Sequence, residues 1–98
     1  MEFEWDPNKS QTNMKKHGVA FETVTQVFTG FHMTKEDTRQ DYGELRFCTM
    51  GTMDYDGRVV IVAYTRRNHK IRIISARKAN SREQKIFNNY RNMYHKEN

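Results

Sequence analysis

The stretch Lys70-Ile71-Arg72-Ile73-Ile74-Ser75-Ala76-Arg77-Lys78 sets cations inside and at the end of a β-branched apolar run, where a polar turn is the usual ending. Burying an unpaired guanidinium is costly, so a strand built this way turns its arginines toward an anion. Phosphate suits a planar, permanently charged fork. A solvated face carrying ordinary surface ion pairs is the plainer alternative. Together with Lys9, Lys16, His17, Arg46, Tyr64 and Arg66, the residues Arg72, Ser75 and Arg77 make a dense set of cations and hydroxyls.

RNA cleavage without a metal needs little beyond such a set. The 2′-hydroxyl attacks its own neighbouring phosphate, so the nucleophile belongs to the substrate. The protein aligns the attack, removes a proton, stabilises the extra charge on phosphorus and protonates the leaving oxygen. Arginine and lysine supply the stabilisation. Histidine, which titrates nearest neutrality, is the natural proton carrier, and His17 is the candidate. Its plainer role is a favourable charge at a helix C-terminus.

Other chemistries find little support. The four histidines, His17, His32, His69 and His95, are dispersed, with no H-E-x-x-H and no Cys-x-x-Cys, so no metal site is expected. Ser75 falls in a strand rather than on a nucleophile elbow, and Cys48 reads as core. No glycine-rich phosphate loop is present. A single cysteine allows no intrachain disulfide.

Charge supports a polyanionic partner. Residues 1–57 hold six Lys/Arg against ten Asp/Glu, a net −4, whereas residues 58–98 hold eleven against two, a net +9. A positive face built from the C-terminal half would attract and steer nucleic acid. No apolar run approaches a membrane span, and the acidic start (Glu2, Glu4, Asp6) is unlike a signal peptide. A small, reduced, cytoplasmic domain is expected. With 98 residues the chain makes one domain, 1–98, whose thin core leans on six Phe, five Tyr and one Trp.

These residues need elements to position them. Phe3 and Trp5 alternate with Glu2 and Glu4 as in a short half-buried strand. Asp6 is a natural N-cap with Pro7 at the first helical position, and Gly18 is a natural stop, so a helix is predicted from Pro7 to about His17. Met14 is its only strongly apolar residue, and Lys9, Asn13 and Lys16 form one polar stripe. A second helix is predicted over Phe21–Thr29, with Phe21, Val24, Val27 and Phe28 on its core face, although Ala20 stands where a capping Ser or Asp would serve better.

Strands are predicted at His32–Glu36, Glu44–Thr52, Arg58–Arg66 and Lys70–Lys78, with turns at Asp54-Tyr55-Asp56-Gly57 and Arg67-Asn68-His69. Val59–Ala63 is apolar on both faces and reads as the central strand. Ser81 is the expected cap of a last helix carrying Ile86, Phe87, Tyr90 and Tyr94 along one side. The order β-α-α-β-β-β-β-α predicts an α+β fold, a mostly antiparallel sheet with helices packed on it. Arg72 and Arg77 differ by an odd number, so a regular strand would aim them at opposite faces. Either a bulge corrects this, or one arginine serves RNA and the other serves structure or a partner.

Four short motifs run in order along the chain: Trp5-Asp6-Pro7-Asn8-Lys9; Lys16-His17-Gly18-Val19 followed by Phe21-Glu22; Tyr42-Gly43-Glu44-Leu45-Arg46; and Arg72-Ile73-Ile74-Ser75-Ala76-Arg77. The series resembles the BrnT family of type II toxins over roughly Phe3 to Arg82. That resemblance implies a RelE-like fold, a metal-independent ribonuclease that arrests translation, and neutralisation by a BrnA-type antitoxin. The positions matching the family's motifs are Trp5, Lys9, Lys16, His17, Arg46, Arg72, Ser75 and Arg77. The expected catalytic set is His17, Arg72, Arg77 and Lys9, and the expected RNA-binding set is Lys16, Arg46, Tyr64, Arg66, Ser75 and Trp5. Tyr64 and Arg66 join from their place on the adjacent strand alone. Trp5 can stack on a base or be a buried sheet tryptophan.

The expected partners are RNA and a ribbon-helix-helix antitoxin, in a two-plus-two complex that binds operator DNA. Two further readings compete with the ribonuclease. One is a non-catalytic module whose basic half grips phosphates; the other is a pure interaction protein.

Overall fold

A computed structural model describes residues 1–53 and 57–97, the side chains of residues 96 and 97 excepted. The turn expected at Asp54-Tyr55-Asp56-Gly57 lies outside the described residues save for Gly57. The elements are β1 (Glu2–Trp5), α1 (Pro7–His17), α2 (Phe21–Val24) with a 3-10 turn (Thr25–Phe28), β2 (His32–Glu36), β3 (Phe47–Thr52), β4 (Val59–Arg67), β5 (Lys70–Lys78) and α3 (Ser81–Glu97). The fold is α+β.

One five-stranded sheet runs in the order β1-β5-β4-β3-β2, with β4 at its centre. The β2–β3, β3–β4 and β4–β5 pairs are antiparallel, but β1 pairs in parallel with β5. The sheet is therefore mixed. The cause is topological: β1 lies outside the β4–β5 hairpin and reaches β5 only through the rest of the chain, so no tight turn forces it antiparallel.

Helix α1 starts and stops on local chemistry. Asp6 Oδ1 accepts from the Asn8 N–H at 2.8 Å, Pro7 opens the helix, and Gly18 closes it at φ 70° with its N–H on the Met14 carbonyl. The second helix is shorter than predicted and tightens into a 3-10 turn. Ala20 supplies no side-chain cap, and the Thr25 and Thr29 hydroxyls donate to the carbonyls of Glu22 and Gln26 three residues back. The cap of α3 is Asn80 rather than Ser81. Asn80 Oδ1 accepts from the Glu83 N–H while Glu83 Oε1 accepts from the Asn80 N–H, a reciprocal capping box.

The sheet separates two apolar clusters. On one face Val60, Val62, Tyr64, Ile71 and Ile73 pack with Phe21, Val24 and Val27, flanked by Phe3 and Trp5. Gly51 lets the 3-10 turn approach, since a Cβ there would lie 2.9 Å from Val27 Cβ. On the other face α3 lays Phe87 over Val59 and Ala79, beside Met33, Met50 and Ile61. Of the residues expected along one side of α3, Ile86 and Tyr90 point outward at 39% and 53% exposure, while Tyr94 rests on Phe31 with ring centroids 5.1 Å apart.

α1 is held by one polar residue instead of an apolar face. β1 covers the outer edge of β5 only from Lys70 to Ile73. Beyond that point the buried Asn13 amide takes over, accepting from the Ala76 N–H at 3.0 Å and donating to the Ala76 carbonyl at 2.9 Å and the Val19 carbonyl at 3.0 Å. A side chain thus does for Ala76 what a neighbouring strand would do.

Candidate nucleic-acid interface

The geometry of the site begins with a break in register. Ser75 pairs with Ala63, but Ile73 pairs with Tyr64, which leaves Ile74 as an extra residue in β5. A bulge of this kind re-aims every side chain beyond it. Arg77 then stands opposite Ile61 and Arg72 opposite Thr65, four residues apart on β4 and so on one face. Of the two alternatives left by the odd spacing, the bulge is the one realised. Arg72, Ser75 and Arg77 share the face that α3 partly covers.

Between them lies a shallow trough. Its floor is one row of modest side chains running across four strands, Lys35, Cys48, Ala63 and Ser75, set by the pairs Lys35–Cys48, Cys48–Ala63 and Ala63–Ser75. On one side the next row is Met33, Met50, Ile61 and Arg77, roofed by α3. On the other side stand Thr65, Arg72 and Glu4, with the loop between β2 and β3 pinned there by the Thr65 hydroxyl on the Leu45 carbonyl at 2.7 Å. Burial pushes the Cys48 thiol up, which disfavours its reactive thiolate form.

Carboxylates hold the arginines in place. Arg77 grips Glu83 with both nitrogens, at 2.9 and 2.8 Å. The pair brings the Glu83 carboxyl down to about 2, with the Asn80 N–H adding to the effect, and raises Arg77 further. Arg72 meets Glu4 at 2.7 Å, tying β5 to β1. Arg67 reaches Glu44 at 3.1 Å. In the loop, Asp37 accepts from Arg39 Nε and Nη2 at 2.8 Å each and from the Tyr42 hydroxyl at 3.0 Å, and Arg39 holds its carboxyl well below the usual range. Arg46 lies over the Tyr42 ring at 4.2 Å, and its buried Nε has no hydrogen-bond acceptor among the described residues.

The expected site residues separate into groups. Arg72, Ser75 and Arg77 are gathered on the trough, with Arg46 just before β3 at its loop end. Lys9 and Lys16 flank Asn13 on α1, exposed, where that helix meets the edge of β5. His17 ends α1 half-buried. Trp5 is on the core face, edge-on to Phe21 with ring centroids 6.1 Å apart.

Two of the expected residues fall outside these groups. Tyr64 is 1% exposed, stacked on Phe47, and its hydroxyl accepts from Thr49 at 3.0 Å, so it is core. Arg66 pairs with Ile71 and so sits on the same face as Tyr64, away from Arg72. Both had been added from their place on the adjacent strand alone, and that position does not say which face a side chain takes; Arg72 stands beside Thr65 instead.

Sequence reasoning missed Glu83, Glu4 and Lys35. Glu83 had a signal, three residues after Asn80 at a helix start, but that signal reports a cap and not an ion pair. Among the described residues no group of three or more His, Cys, Asp or Glu is placed to hold a metal. No helix there is long and apolar enough to cross a membrane.

A trough lined by Lys35, Arg72, Arg77 and the Ser75 hydroxyl on a small α+β domain is a surface of the kind that suits a polyanion. Residues 5–83 match the family model described as the ribonuclease toxin, BrnT, of type II toxin-antitoxin systems. The chain belongs to that family of ribonuclease toxins, for which an antitoxin partner follows. No curated protein matches the chain.

Proposed function

We propose that residues 1–98 form a single toxin domain with a RelE-like fold, a metal-independent endoribonuclease that cuts RNA in the cytoplasm and so arrests translation. The observation that carries this reading is the bulge at Ile74, which brings Arg72, Ser75 and Arg77 to one sheet face. RNA lies across the trough. Its scissile phosphate exchanges with the Glu83 carboxylate on Arg77, fork for fork, while Arg72 takes the neighbouring phosphate and Ser75 donates a hydrogen bond from the floor.

In the chemical step the 2′-oxygen bonds to phosphorus as its proton is withdrawn. The arginines stabilise the additional charge on the phosphoryl oxygens. The bond to the 5′-oxygen then breaks, and that oxygen takes up a proton. The products are a 2′,3′-cyclic phosphate and a free 5′-hydroxyl. His17 is the proton carrier. Docking of α1 supports this, since Asn13 of the helix bearing Lys9, Lys16 and His17 is bonded to Ala76, the residue between Ser75 and Arg77 in sequence. Lys9 adds to charge stabilisation, and Lys16 and Arg46 extend the grip on the backbone.

The partner in this reading is a BrnA-type ribbon-helix-helix antitoxin. Its dimer would hold two toxins and bind operator DNA, and it would compete with RNA for the positive face. The test is cleavage of RNA by purified protein in excess chelator. Retained activity with cyclic or 3′-phosphate ends is the expected result. Activity lost to chelator and restored by a divalent cation overturns the mechanism.

A further inference from the structure

The outer face of α3 carries an apolar stripe that no other described residue covers. Ile86, Tyr90 and Met93 recur at the i, i+4, i+7 spacing of one helical face and are 39%, 53% and 56% exposed. Phe87, on the adjoining side of the helix, is fully buried and anchors the helix to the sheet. Among the described residues the other exposed large apolar side chains off this helix, Met1, Met14 and Leu45, are scattered singly. Single exposed side chains need no explanation, but a helical stripe does.

Charge decides what fits. Arg82 and Lys85 are exposed beside the stripe, and the acid of the first turn, Glu83, is engaged by Arg77. A second copy of this chain would bring cations to cations along the same border. RNA would find no donors on Ile86 or Met93. The complement is a helix with an apolar seam and acidic edges, laid along α3 in the helix-packing mode of peptide recognition.

We propose that the Ile86–Tyr90–Met93 face of α3 is the docking surface for an acidic amphipathic helix of the antitoxin. The inference rests on the toxin–antitoxin reading and adds the place and the chemistry of the contact. It also gives neutralisation a route. The first turn of α3 holds Glu83 against Arg77, so a partner seated on α3 stands at the wall of the trough and can set its own acids across the mouth.

The test measures the affinity of full-length cognate antitoxin for full-length toxin carrying Ile86→Glu, Tyr90→Glu or Lys85→Glu, with Met14→Glu on α1 as control. The expected result is weakening by about tenfold or more for the α3 variants, an unchanged control, and RNA cleavage that the antitoxin no longer suppresses. Thermal unfolding reports whether each variant is folded; Ile86→Ala and Tyr90→Ala replace any that is not, with the same expected direction. Wild-type affinity in the α3 variants overturns the docking surface and leaves the pairing intact. Wild-type toxin that binds no antitoxin overturns the pairing, and the surface with it. A toxin dimer dissolved by Tyr90→Glu would give the stripe to a second copy, and loss of RNA binding in that variant would give it to RNA. Either result overturns the proposal.

Discussion

Arg72 and Arg77 are five positions apart on one strand and yet face the same side of the sheet, because Ile74 between them has no partner on β4. An extra residue turns an odd spacing into an even one. It also keeps Ile71 and Ile73 in the core at 2% and 1% exposure while Arg72 stays out of it. The bulge therefore satisfies packing and site geometry together. Bulges recur at functional positions because they re-aim a side chain without ending the strand.

Arg77→Ala should lower RNA cleavage by about 10²–10³-fold, the scale of removing one preorganised stabilising donor. Toxicity in cells should fall with it, and circular dichroism should show a folded domain. Arg77→Lys keeps the charge but loses the two-pronged grip, so it should recover only part of the activity. A folded Arg77→Ala protein with full cleavage activity would remove Arg77 from the site.

Much of the frame was legible in the sequence, and the reasons are local. Asp6-Pro7 and Gly18 bound α1 because caps and left-handed stops are decided by adjacent residues. β2 and β5 begin and end where their patterns do. What escaped is what depends on a partner strand. The odd spacing of Arg72 and Arg77 left a bulge as one alternative, but no single-strand pattern shows that Ile74 is the unpaired residue, nor that Tyr64 and Arg66 of the adjacent strand lie on the face away from Arg72. Asn13 read only as part of a polar stripe, because a polar residue on a polar helix gives no hint that a sheet edge is waiting for its amide.

Asn13→Ala should be among the most damaging polar substitutions in the chain. It would strand the Ala76 N–H and two carbonyls in a buried setting. At roughly 1–3 kcal/mol for a buried group left unpaired, and with some access for water, the loss should be about 2–4 kcal/mol. For a domain of this size that is a fall in Tm of roughly 10–20 °C. Asn13→Asp keeps the acceptor for Ala76 but loses both donations, and it should be destabilised as well. A wild-type melting curve for Asn13→Ala would mean that water replaces the amide.

Acid should weaken the fold through Glu83. Its carboxyl falls from an ordinary 4.5 to about 2 when Arg77 pairs with it. A carboxylate whose folded value is depressed stabilises the fold above its unfolded value and loses that contribution as pH drops toward the folded one. Glu83 therefore contributes fully above about pH 4.5 and progressively less down to about pH 2, with Asp37 acting in the same direction beside Arg39. Denaturation midpoints followed from neutral to acid pH should show this decline, and Glu83→Gln should flatten part of it. An equal decline in the variant would assign the acid sensitivity elsewhere.

Deleting Ile74 tests the bulge directly. Without that residue the Ser75–Ala63 pair would be followed at once by Ile73–Tyr64, and the rest of the ladder would keep its partners. Arg72 and Arg77 would stand four positions apart in a regular strand and still share a face. Ile71 and Ile73 would stay in the cluster that holds Phe21 and Tyr64. The deletion removes only the local kink and added twist of the bulge. The variant should therefore fold and keep cutting RNA, as should Ile74→Val, which keeps the extra residue. Circular dichroism and the cleavage assay compare the two. A folded deletion variant that no longer cuts would show that the site requires the bulge itself and not only the shared face of Arg72 and Arg77.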